Sequence, residues 1–322
     1  MSFNNAGDDA AKFANQFGSF GSQSNQPQDD HDKKWSGLFV FYQKSKNDDQ
    51  LWSSIFDKKN WAPENTVPNL KVASSPSVVM FNNKPYCFYQ KSTSGKQLWY
   101  SSFDGKNWAA EQRVPNTQLS YSPSVTVFNN KLYCFHNGDR NNGLWYNIFD
   151  GSHWAGDRQI SRVGISESPS ALVFNNKLYV VHQGNNHNTE LWYNTSSDGI
   201  HWDGDKEVPN TKLNYSPSAA VFNNKLYCFH NGNHNNGLWY NIFDGNHWAG
   251  DRQMSRVEVS ESPSVVVCDD QLYCFHQGSQ HNGQLWYSVL HGETWAADKK
   301  LDNVSIFGSP NVISIVDLKP NN

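Results

Sequence analysis

Four histidines occupy one recurring position in this chain, His136, His182, His230 and His276. Each is followed by an amide (Asn137, Gln183, Asn231 or Gln277) and then by glycine. The first two copies of the stretch read Tyr42-Gln43-Lys44 and Tyr89-Gln90-Lys91 instead. An imidazole and an amide at the end of a strand, beside a polar loop, hold donors and acceptors at one rim. Sugar hydroxyls need partners of that kind. The competing reading is that each histidine caps the backbone of its own loop. Metal ligation fits less well, because equivalent histidines in separate units cannot converge on one ion at about 2 Å. No metal or other cofactor is expected.

The second set of candidates is the tryptophan of a recurring Leu-Trp pair: Trp52, Trp99, Trp145, Trp192, Trp239 and Trp286. An indole face stacks on the apolar face of a pyranose, and it packs equally well between units of a scaffold. A second tryptophan closes each unit, at Trp61, Trp108, Trp154, Trp202, Trp248 and Trp295. These follow a tight turn that fixes them against the strands, so packing is their expected role. Catalysis needs one constellation of unlike groups, whereas the polar residues here recur copy after copy. The chain has no G-x-S-x-G, no phosphate-binding glycine loop, no H-E-x-x-H and no cysteine pair at zinc spacing. A binding protein is expected rather than an enzyme.

The elements that position these residues follow from the repeat itself, whose period is about 47 residues. A Ser-Pro pair marks it at Pro76, Pro123, Pro169, Pro217, Pro263 and Pro310. From Ser122 to Trp154 one unit reads S-P-S-V-T-V-F, N-N-K, L-Y-C-F-H, N-G-D-R-N-N-G, L-W-Y-N-I-F, D-G-S-H-W. The β-branched and aromatic runs predict three strands, and the Asn-Asn-Lys and Asp-Gly pieces predict tight hairpins. A fourth strand over Arg158 to Val163 shows poor alternation. Four antiparallel strands per unit, apolar on both faces, bury those faces only against neighbouring units, which is the pattern of a β-propeller blade.

The chain ends complete the count. The first copy lacks a Ser-Pro strand, and Ser309 to Val316 is a Ser-Pro strand with nothing after it, so the two ends share one blade. The fold class is therefore all-β: a six-bladed propeller of four-stranded antiparallel blades, closed by the C-terminal strand. It spans residues 35–322. Tyr133 to Arg162 and Tyr227 to Arg256 are nearly identical at an offset of 94, which predicts sites of two related kinds on alternating blades. Residues 1–34 form a polar low-complexity tail. Its Phe13 and Phe17 fit either disorder or a docking segment through which the chain makes homo-oligomers.

Composition narrows the partners. The chain has 13 tryptophans and 17% charged residues, with a net charge of −4 and no Lys/Arg run, so no footprint for nucleic acid is present. No apolar stretch is long enough for membrane insertion, and the first thirty residues lack the basic start and apolar run of a secretory signal. The expectation is a cytoplasmic protein, or one exported without such a signal. Four of the five cysteines share one repeat position with Val180, which predicts buried thiols and no disulfides.

In repeat length, blade count and Trp-rich strands, Trp35 to Leu318 resembles the six-bladed propeller lectins of the tectonin-like and fucose-binding kinds. The resemblance implies glycans or glycoconjugates as partners and several repeat-equivalent sugar sites. The Arg, Glu and Trp sets by which fucose-binding members hold sugar do not map cleanly onto these repeats, so no monosaccharide is implied. Ser196 to Trp202 resembles the Asp-box of sialidases, a structural hairpin in those enzymes, but the six arginines form no unique triad. The function expected is a multivalent lectin. A protein-interaction scaffold is the alternative and would show one patch that breaks the repeat. A sialidase-like glycoside hydrolase would need a unique carboxylate pair in the central cleft.

Overall fold

The computed structural model describes residues 35–318 apart from 57–59, 94, 106, 140–141 and 234–236. The expected tail and its Phe13 and Phe17 lie outside the described residues. The rest is a ring of six antiparallel sheets. Blade 1 runs from the axis outwards as Phe307–Leu318, Trp35–Gln43, Gln50–Phe56 and Asn65–Lys71, joining both chain ends as the repeat requires. Blades 2 to 6 follow in chain order, with innermost strands at Ser77–Phe81, Ser124–Phe128, Ser170–Phe174, Ser218–Phe222 and Ser264–Cys268.

Local chemistry explains the strand connections. The first hairpin of each repeat puts two consecutive residues at positive φ, as at Asn129 (49°) and Asn130 (57°), a conformation that Asn tolerates better than most residues. Asp269 and Asp270 do the same in blade 6. The outer strands alternate poorly because each carries a bulge. Between Trp99↔Arg113 and Gln97↔Gln118 the register slips, and Asn116 takes a φ of 55° in the slip. Buried Val114 and Thr117 are thereby spaced by three residues rather than two.

The core lies between blades. Phe81, Phe88 and Leu98 of blade 2 pack with Val125, Leu132 and Cys134 of blade 3, and the same arrangement recurs around the ring. Each closing tryptophan is wedged against the blade before it. Trp154 meets Phe88 edge-on at 6.0 Å, Trp202 meets Phe135 at 5.7 Å and Trp295 meets Phe229 at 5.5 Å. All five cysteines are buried and none forms a disulfide, and burial pushes the Cys87 thiol well above its ordinary pKa.

A belt of hydrogen bonds closes the ring at the axis. Oγ of Ser77, Ser124, Ser170, Ser218 and Ser264 accepts the backbone N–H of Val125, Ala171, Ala219, Val265 and Val312 respectively, each in the next blade, at 2.9 to 3.1 Å. At the sixth position stands Asn311, whose Oδ1 accepts from Val78 at 3.1 Å.

Candidate functional site

The structure brings the two sets of sequence candidates together. In every blade the histidine or tyrosine pairs directly across with the Leu-Trp tryptophan: Tyr42 with Trp52, Tyr89 with Trp99, His136 with Trp145, His182 with Trp192, His230 with Trp239 and His276 with Trp286. The tryptophans are half-buried. In blades 1 and 2 a lysine lies over the ring, Lys44 at 3.8 Å from the Trp52 centroid and Lys91 at 4.4 Å from that of Trp99.

The eight polar candidates are placed inside the blades, which corrects their expected role as sugar contacts. His136, His182, His230 and His276 are at most 1% exposed, and Asn137, Gln183, Asn231 and Gln277 at most 2%. Each histidine Nε2 lies 2.9 to 3.0 Å from a carboxylate, of Asp157, Asp205, Asp251 and Asp298 in turn. Each amide nitrogen donates to a backbone carbonyl at the start of the link to the next blade, of Ile165, Leu213, Val259 and Ile306, at 2.9 to 3.1 Å. These groups tie the outer link to the second strand, and a ligand does not reach them.

The acidic partners were missed in the sequence although a signal exists. Each closing tryptophan is followed three residues later by an acid: Glu64, Glu111, Asp157, Asp205, Asp251 and Asp298. The two glutamates occur where the partner is tyrosine. Tyr42 Oη donates to Glu64 at 2.9 Å and Tyr89 Oη to Glu111 at 2.5 Å, and Lys44 and Lys91 pair with the same carboxylates. Burial and these carboxylates push both phenol groups well above their ordinary pKa.

The rim of the central opening does break the repeat. Ser-Pro-Ser segments and Asn311 line an axial cavity of about 110 Å³. The residue before each Ser-Pro is Ser74, Tyr121, Glu167, Tyr215, Glu261 or Gly308, so tyrosine and glutamate alternate over blades 3 to 6. Burial, and then the charge of Glu261, raise the Glu167 carboxyl to about 7. Burial raises Glu261 too, opposed by His281, whose Nδ1 is 3.3 Å from Glu261 Oε1. His187 stands 4.0 Å from Glu167 in the same way. Short 3-10 turns at Asn185–His187 and Ser279–His281 present these histidines, and Ser166 and Ser260 Oγ accept their backbone N–H at 2.7 Å.

On the opposite face, where the Asp-Gly hairpins lie, a cleft of about 400 Å³ opens between blades 5 and 6. Blade 5 contributes Lys225, Tyr227, Tyr240, Asp244, His247 and Arg252, and blade 6 contributes Leu290, Glu293 and Trp295. Burial raises the pKa of the Tyr227 hydroxyl, with Tyr240 and Glu293 adding to the rise and Arg252 opposing it. Trp295 forms the floor, edge-on to Phe229 and Tyr240. The cleft thus joins one guanidinium, two carboxylates and three aromatic rings in a space of small-ligand size. No single repeat carries this set, because the chain supplies it from two adjacent units. Among the described residues no group of three His, Cys, Asp or Glu is arranged to hold a metal ion.

Solved structures share the fold at low identity. An arginine mutant of AofleA from Arthrobotrys oligospora superposes with a TM-score of 0.62 at 12% identity, over 90% of this chain and 92% of that one. A variant of the Aleuria aurantia lectin bound to Fucalpha1-6GlcNAc gives 0.61 at 11% identity, over 85% and 97%. The nidogen/laminin complex gives 0.58 at 10% identity, over 86% and 98%. No curated protein matches the chain. The family model described as the DUF6242 beta propeller domain matches residues 46–321, and the chain belongs to that family.

Proposed function

We propose that this propeller is a carbohydrate-binding protein without catalytic activity, and that sugar is taken on the hairpin face, in the cleft between blades 5 and 6. The observation that carries the reading is the meeting of Arg252, Glu293 and Trp295 with Tyr227 and Tyr240 around about 400 Å³. A planar guanidinium and a carboxylate supply complementary donors and acceptors for vicinal hydroxyls, and aromatic walls take the apolar face of the ring. The lectin among the similar structures supports the ligand class, while the nidogen/laminin complex illustrates the scaffold alternative on the same fold. A concave site of small-ligand volume favours a sugar over a protein surface. A glycan array and haemagglutination test the reading. Silence on a broad array, with the protein shown folded, overturns it.

A second reading, glycoside hydrolysis, draws on Glu167 and Glu261. Two carboxyl groups at the axial rim, one held near neutrality and the other feeling a histidine, form the kind of pair that acid–base catalysis uses. Release of nitrophenol from aryl glycosides, abolished by Glu167→Gln, would establish it. Absence of turnover on pyranosides and furanosides that bind would leave the binding protein.

A further inference from the structure

We infer that the chain holds one saccharide site rather than six, and that the hairpin Leu290–Trp295 creates it and makes it selective for neutral saccharides. The inference rests on the carbohydrate reading above and sharpens it. The hairpin position equivalent to Leu290 is a phenylalanine in blades 1, 2, 3 and 5 (Phe56, Phe103, Phe149 and Phe243), and Ser196 in blade 4, where the hairpin backbone at Gly199 itself closes on Tyr133 of blade 3. Phe149 sits 6.4 and 6.0 Å from Tyr86 and Tyr100 of the preceding blade, and Phe243 sits 6.2 and 6.1 Å from Tyr179 and Tyr193. Those rings fill the space that Leu290 leaves open before Tyr227 and Tyr240.

The hairpin glycines give an independent measure of the same gap. A Cβ on Gly151 or Gly245 would stand 3.5 or 3.2 Å from the amide of Asn82 or Asn175 in the preceding blade, and one on Gly199 would strike the Tyr133 hydroxyl at 2.2 Å. Around Gly292 nothing lies within 4 Å. The cause is a change of turn. In blades 3, 4 and 5 an aspartate Oδ1 accepts two backbone N–H groups of its hairpin, as Asp150 does from Ser152 and His153 at 2.8 and 2.7 Å. Blade 6 has His291 there, and the ladder runs one pair further into the hairpin, with His291↔Thr294 paired beyond the Leu290↔Trp295 bridge that blades 1, 2, 3 and 5 also make. Glu293 is thereby placed at the turn, on the cleft.

Charge sets the ligand class. Lys225, Arg252 and Asp244 of blade 5 line the cleft with Glu293 of blade 6, two cations and two carboxylates. Such a balance gives an anionic sugar no net attraction and favours hydroxyls, which both accept and donate.

Isothermal titration with the strongest neutral glycan from the array tests this. A stoichiometry near one per chain is expected. Leu290→Phe should weaken binding about tenfold or more, and so should Glu293→Gln, an exposed change that spares the fold if the larger side chain does not. Two or more sites per chain, affinity within twofold of wild type in both variants, or preference for sialylated or uronic glycans would overturn the inference while leaving carbohydrate binding intact. Failure of wild type to bind any glycan overturns that reading and the inference with it.

Discussion

Asn311 Oδ1 accepts the backbone N–H of Val78 at 3.1 Å, across the junction where the last strand of the chain meets the second blade. Five serines make the same contact elsewhere, so Asn311 completes a belt of six. Asn311→Ala should therefore destabilise the ring by about 1 kcal/mol, the worth of a typical hydrogen bond. Asn311→Ser, which restores the residue of the other blades, should cost less. Urea unfolding of the two variants checks the order, and equal losses would show that the side chain closes nothing.

The acids that follow the closing tryptophans predict a coupled pair. His136→Ala leaves Asp157 largely buried without its partner and should cost about 3 kcal/mol. Asp157→Glu, which lengthens the acid opposite a histidine, should cost about 1 to 3 kcal/mol by overpacking. Installing tyrosine and glutamate together, as in blades 1 and 2, should recover most of the Asp157→Glu loss. A double-mutant cycle of His136→Tyr, Asp157→Glu and the pair, followed by chemical denaturation, measures the coupling, and additive losses would refute it.

Glu167 predicts a pH dependence. Its carboxyl is raised from 4.5 to about 7 in the fold, so the unfolded chain ionises first. Its contribution to stability is greatest below pH 4.5, falls as pH rises towards 7 and stays low above it. Glu167→Gln should leave stability unchanged near pH 4 and increase it at pH 8 by an amount on the order of 2 kcal/mol. Thermal unfolding of both proteins across that range reads the difference, and parallel curves would contradict the placement of Glu167.

In the cleft, Arg252→Ala should reduce glycan affinity about tenfold or more, consistent with loss of a charged hydrogen bond. The melting temperature should stay within a degree or so, because Arg252 is exposed. Arg158→Ala, the same position in blade 3, should leave affinity unchanged. Equal effects of the two variants would place binding elsewhere.

Much of the scaffold was legible because each blade is built from local signals. The Asn-Asn turns, the β-branched runs and the paired tryptophans appear within one repeat, and the ends of the chain visibly complete each other. The outer strands were harder to read, because their bulges replace alternation by a spacing of three. The histidines misled for a related reason. A polar residue repeated in every blade marks either a site or a structural bond, and only burial separates them. The tryptophan-to-acid spacing, with glutamate opposite tyrosine and aspartate opposite histidine, would have favoured the structural bond.

The sequence by itself determined the number of blades, the shared first blade and the chemistry of each turn, since these depend on neighbours along the chain. The tertiary structure decided which polar groups meet water and which meet one another. Arg252 and Glu293 lie 41 residues apart in different repeats, and their cleft exists because Leu290 fails to fill what phenylalanine fills in blades 1, 2, 3 and 5. A site made of an absence between two blades has no motif of its own. It emerges only when packing has placed the groups that close the other clefts.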